Sequence, residues 1–158
     1  MTGDDHIVLV LGLGNLIHSD DGVGIHAVYR LQKNPSVPPW ATLMDGGTHG
    51  LNLAPHIRGF KRLLVIDAID VGEKPGTLIK LEGEAVEKMP GKPSVHQLGF
   101  ADLMISMKLL GESPPEVVVF GVQPQSTEWG TELTPPVEGA LDQLVPAVIT
   151  QLKLWNPT

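Results

Sequence analysis

The 158-residue sequence contains no cysteine. Disulfides, thiolate nucleophiles and cysteine-based zinc sites are therefore excluded, and a reducing compartment is allowed. Basic residues are outnumbered, with 11 Lys and Arg against 18 Asp and Glu, for a formal net charge of −7. Non-specific nucleic-acid binding depends on clustered cations that displace counterions, so it is not expected of this chain. No apolar run approaches the length of a membrane span. The opening "MTGDDHIVLVLGLG" has acids where a secretory signal has bases, and the expectation is a cytoplasmic protein. Also missing are a G-x-S-x-G nucleophile elbow, a Walker phosphate loop and a local H-E-x-x-H zinc motif.

What is present reads as one globular α/β domain over residues 1–158. Hydrophobic residues make up 42% and charged residues 18%, which is enough apolar material for a real core. Three short, β-branched runs without alternation, "IVLVLG" (7–12), "RLLVIDA" (62–68) and "EVVVFGV" (116–122), have the pattern of strands covered on both faces. "WATLMD" (40–45) and "TLIKL" (77–81) are weaker strand candidates. Helical patterns lie between them at 22–33, 51–60, 98–111 and 137–155, the last expected to kink or break at Pro146. This alternation predicts a three-layer sandwich, a twisted, mostly parallel, five-stranded mixed sheet with helices on both faces. The link "IDVGEKPG" is too short for a helical crossover, so the strands it joins are expected to be antiparallel.

The acids fall where such a sheet binds ligands, outside the carboxyl ends of its strands. Asp20 and Asp21 follow the first strand, Asp45 ends the second, Asp67 ends the third, and His96 precedes the third long helix. The glycine-rich stretch "GLGNLIHSDDGVG" (12–24) invites a phosphate-binding reading. Ile17 occupies the third glycine position of a dinucleotide fingerprint, however, and two aspartates already charge the helix start negatively. One of those aspartates is explained as a helix N-cap; the second is free for another task. Ser94 lies near His96, but a serine triad further needs an orienting acid and an oxyanion hole. Two carboxylates and an imidazole suit a borderline divalent ion such as zinc or nickel, with positions left open. His26 falls within a helical pattern and reads as a surface or satisfied core residue; His49, in "GGTHG", is a further candidate ligand.

At these residues the chain resembles the maturation endopeptidases of nickel–iron hydrogenases. "LGLGNLIHSDDGVG" is close to that family's G-x-G-N-x-L-x-x-D-(D/E)-G-x-G, with Ile17 in place of Leu. "DGGTHG", "VIDAID" with "PGT", "SVHQLGFADLM", "VFGVQP" and "LTPPVEGAL" follow in the family's order. The resemblance implies a compact α/β sandwich. It also implies a peptidase that removes a C-terminal extension from the hydrogenase large-subunit precursor after nickel insertion. It places a metal-contacting set on Asp21, Asp67 and His96, with Asp45 as a further catalytic position. Where some members carry Glu, Asp21 is one methylene shorter. The nickel is the precursor's own, and no tightly bound intrinsic cofactor is expected. Two other classes are a zinc-dependent amidase or peptidase with its own metal, and a non-enzymatic nickel- or precursor-binding chaperone. Client specificity is expected in surface loops such as 34–39, 84–95 and 124–136.

Overall fold

The computed structural model describes residues 7–48, 50–89 and 99–156. Five strands form one sheet: β1 (Val8–Leu13), β2 (Ala41–Gly47), β3 (Arg62–Ala68), β4 (Leu78–Glu82) and β5 (Glu116–Val122). The helices are α1 (Val23–Gln32), α2 (Ala54–Ile57), α3 (Glu84–Glu87), α4 (Phe100–Leu109) and α5 (Pro135–Leu154). A 3-10 turn at Ser19–Gly22 leads into α1, and another at Gly50–Leu53 leads into α2.

The strand order is β2-β1-β3-β5-β4. The first four are mutually parallel, and β4 runs antiparallel to β5. The mixed, mostly parallel sheet agrees with the sequence reading, but β4 does not pair with β3. β5 lies between them, so the antiparallel ladder joins Leu78 to Val122 and Glu82 to Val118. Burial explains the exchange. "EVVVFGV" has apolar side chains for both faces and takes the inner place, whereas "LIKLE" exposes Lys80 and Glu82, which suits an edge strand.

Each face of the sheet builds its own core. Val8, Val10, Leu64 and Ile66 pack with Val23, Ala27 and Leu31 of α1 and with Leu141, Leu144 and Val148 of α5. Leu9, Leu11, Leu63 and Val65 point the other way, against Ile57 of α2, Val86 of α3 and Leu103 and Met107 of α4. Consecutive strand residues therefore feed opposite layers, which is why β1 is buried along its whole length.

α5 continues unbroken through Pro146, contrary to the expected interruption. Proline removes the N–H that would reach the carbonyl of Asp142, but both residues lie on the exposed side of the helix, where water serves that carbonyl. α4 ends as its sequence suggests. Gly111 takes φ of 71°, its N–H donates to the Lys108 carbonyl, and that of Glu112 donates to Met107. Ile105 and Leu110, though apolar and within the helical pattern 98–111, are exposed. A short connection joins the end of α4 to the start of β5, so the start of α4 lies at the opposite, carboxyl end of the parallel strands. Its packing against the 3-10 turn that follows β2 agrees with this.

Candidate active site

The glycines of the first loop bring helix and sheet into direct backbone contact. Gly14 adopts φ of 133°, and a Cβ there would lie 1.9 Å from the Asp21 carbonyl oxygen. A Cβ on Gly24 would lie 2.1 Å from the carbonyl oxygen of Ile66. The first turn of α1 thus rests on the carboxyl ends of β1 and β3, an approach that any larger residue would prevent. The glycines serve this packing; they do not form a phosphate cradle.

That contact sets the turn carrying Asp21 over the end of the strand carrying Asp67. Asp21, half-buried, sits directly above the loop, where its Oδ2 accepts the Asn15 N–H at 2.9 Å. Asp67 follows Ile66 in β3 and is only 2% exposed. Its Oδ1 accepts the Ala68 N–H at 2.8 Å. By strand alternation its side chain belongs to the face of Leu63 and Val65, the layer that α4 covers. Gly99 begins α4 at this same end of the sheet. His96 lies outside the described residues, as do His49 and Ser94. Among the described residues, no three His, Asp or Glu side chains converge tightly enough to hold an ion.

Asp20 has a different task from its neighbour. It is 0% exposed and bonds to a loop more than a hundred residues away. Its Oδ2 accepts the N–H groups of Gln125 (2.9 Å) and Ser126 (3.1 Å) and the Thr134 hydroxyl (2.7 Å), and its Oδ1 accepts the Thr134 N–H (2.7 Å). Four donors use the acceptor capacity of a carboxylate. The expected N-cap is not what occurs: α1 is capped by Gly22 with no side-chain bond. Thr134 begins α5, and its hydroxyl turns to Asp20 rather than capping its own helix.

Asp45 sits on β2, opposite Gly12 of β1. It is exposed and shares a face with Leu43, on the α1 side of the sheet, so alternation sends it away from the face of Asp67. Its Oδ1 accepts the Gly47 N–H at 2.9 Å, and its Oδ2 accepts the Tyr29 hydroxyl at 3.2 Å. Desolvation, reinforced by the Asp45 charge and this bond, raises the Tyr29 phenol above its ordinary value. The sequence reading did not single out Tyr29; its position seven residues into an amphipathic helix looks like any surface tyrosine.

Gln123 organises the rim on the other side. Its Oε1 accepts the N–H groups of Val71 (2.9 Å) and Glu73 (3.2 Å), and its Nε2 donates to Asp70 Oδ1 at 2.9 Å. That bond, with help from the Gly72 N–H, holds the Asp70 carboxyl below its ordinary value. The glutamine stood inside "VFGVQP", but nothing local marked it as the hub of the β3–β4 loop. His26 is half-buried, and its buried Nε2 has no hydrogen-bond partner among the described residues, which fits neither the surface nor the satisfied core reading.

Comparison with known proteins agrees with this architecture. A family model described as "Hydrogenase maturation protease" matches residues 25–151. The chain is 40% identical over 150 residues to the hydrogenase expression/formation protein HupD of Bradyrhizobium diazoefficiens, covering 93% of this chain and 77% of that protein. It is 35% identical over 149 residues to the hydrogenase 2 maturation protease of Escherichia coli, covering 92% and 90%. The solved structure of the hydrogenase maturating endopeptidase HybD from E. coli superposes with a TM-score of 0.87 at 33% identity, over 95% of this chain and 94% of that one.

Proposed function

Since the chain belongs to the hydrogenase maturation protease family, and is thus a peptidase, we propose that it removes the C-terminal extension of a nickel–iron hydrogenase large-subunit precursor once nickel is in place. What supports this reading is the backbone contact of Gly24 with Ile66, which rests the helix start that follows Asp21 on the carboxyl end of the strand that carries Asp67. The resemblance assigns His96, three residues before Gly99 in sequence, as the third member of the set. Two carboxylates and one imidazole leave part of an ion's coordination shell to other donors. The precursor supplies those donors together with the nickel, so the protease reads the metal as part of its substrate.

Engagement of the precursor's nickel by Asp21, Asp67 and His96 fixes the scissile peptide next to a Lewis acid. Water adds to the polarised carbonyl carbon, the C–N bond breaks, and the leaving amine takes up a proton. Asp45 already holds the Tyr29 hydroxyl and the Gly47 N–H. This favours a substrate-positioning role for it over that of a base. The cytoplasm is the proposed working compartment, and a cysteine-free chain is compatible with it. Among the described residues, no helix is long and apolar enough to cross a membrane.

The test is incubation with purified precursor, with and without nickel, followed by mass measurement. Cleavage of loaded precursor alone is expected, and Asp21→Ala and Asp67→Asn should each lower its rate by about 10² or more. Equal cleavage of nickel-free precursor, or full activity in both variants, would overturn the reading. Stoichiometric zinc in the purified, active protein would favour a peptidase with its own metal instead.

A further inference from the structure

Beside Asp21 the rim carries two apolar side chains that the fold does not bury. Trp129 is 77% exposed and Ile17 is 49% exposed. A tryptophan on a loop tip is ordinarily free to move, but this one is fastened from below. The Gly130 N–H donates to the Ile17 carbonyl at 3.0 Å, and the Ser19 N–H donates to the Gly130 carbonyl at 2.8 Å. The Ser19 hydroxyl reaches the Glu128 carbonyl at 2.8 Å, and His18 Nδ1 donates to the Thr127 carbonyl at 3.1 Å. The His18 and Trp129 rings stack with centroids 4.3 Å apart. To make these bonds Ser19 takes φ of 52°, left-handed and costly for a residue with a Cβ.

The charge carried by the segments that build this ridge has one sign. Residues 7–29 and 109–152, which include the first loop, α1 up to Tyr29 and the whole of the 123–134 segment, contain no Lys or Arg. Glu128 and Glu132 flank Trp129 in sequence, and both are exposed. A rigid aromatic anchor ringed by acids suits a partner with an apolar side chain bordered by basic ones.

We propose that Trp129, stacked on His18 and flanked by Ile17, is the docking ridge for the precursor polypeptide, seating an apolar residue with basic neighbours next to its nickel and so selecting the precursor. The proposal rests on the reading of Asp21 and Asp67 as the nickel-facing pair, because the ridge is continuous with the loop that ends at Asp21. It assigns Trp129 to ground-state recognition, not to chemistry. Its signature is a KM effect with kcat preserved.

The experiment compares wild type with Trp129→Ala, Trp129→Phe and the double variant Glu128→Gln/Glu132→Gln. Nickel-loaded precursor is the ligand in equilibrium binding and, separately, the substrate in cleavage. Trp129→Ala should weaken binding and raise KM about tenfold or more with kcat within about twofold, and Trp129→Phe should recover most of the loss. The double variant should flatten the salt dependence of binding. Binding by Trp129→Ala within about twofold of wild type would overturn the ridge, whatever the cleavage assay shows. So would a Trp129-dependent shift to a dimer in sedimentation, which would make the patch a self-interface. Ridge-dependent binding without cleavage by the wild type would instead sink the peptidase assignment and leave the ridge standing.

Discussion

Asp20 is bonded into the fold and its neighbour Asp21 is proposed to face the precursor's nickel, so substituting each in turn separates stability from activity. Replacing Asp20 by Ala strands four donors: the N–H groups of Gln125, Ser126 and Thr134 and the Thr134 hydroxyl. Each buried donor left without a partner costs about 1–3 kcal/mol. The 124–134 loop has exposed residues and lets water reach some of the four, so a total of about 3 kcal/mol is expected. A domain of this size loses about 2–4 °C in Tm per kcal/mol, so Asp20→Ala should melt about 6–12 °C below wild type. Asp20→Asn keeps the shape and one accepting oxygen but turns an amide donor toward the remaining N–H. It should fall between Asp20→Ala and wild type. Asp21→Ala should lose activity with a smaller drop in Tm than Asp20→Ala, since Asp21 is only half-buried. Thermal unfolding by circular dichroism reads the first property and precursor cleavage the second. The two-duty account fails if Asp20→Ala melts with wild type, or if Asp21→Ala melts as low as Asp20→Ala.

Gly24→Ala tests the helix–sheet contact. Its Cβ would collide with the Ile66 carbonyl at 2.1 Å and the Leu13 carbonyl at 2.5 Å, both backbone atoms. It should destabilise by about 1–3 kcal/mol in urea titration and depress cleavage by displacing Asp21 from Asp67; unchanged stability would refute the close approach. Asp70 provides a pH test. Its carboxyl is lowered by the Gln123 amide and the Gly72 N–H, so its contribution to stability is complete above the ordinary carboxylate value. That contribution is lost as pH falls through the lowered folded value. The Tm difference between wild type and Asp70→Asn should therefore narrow in strong acid and stay constant near neutrality; a gap that widens on acidification would reverse the sign of the shift.

The inner strands were legible because a strand buried on both faces must be apolar throughout, and β1, β3 and β5 are. Strand order was not legible. Nothing within "LIKLE" says that its partner arrives more than thirty residues later, and the choice was made by competition for the buried position beside β3. Pro146 shows the converse. The local rule against proline in helices was outvoted because the freed carbonyl faces water. At the site, the sequence reading made one of the paired aspartates structural, which Asp20 is, but gave it the wrong partner. Caps are local, while its actual donors lie 105 to 114 residues away. Trp129 was ambiguous because exposure belongs to the assembled surface, not to the residue.

The span of the Asp20 bonds also orders events during synthesis. Until Thr134 has left the ribosome, the Asp20 carboxylate that holds the Asp21 loop lacks its donors, and closing so long a loop carries an entropic cost that only the completed sheet repays. β5, which supplies the wall next to β3, also emerges late. The cutting mouth is thus expected to mature after the first strands have collapsed, so a nascent chain carries both acids well before it can use them.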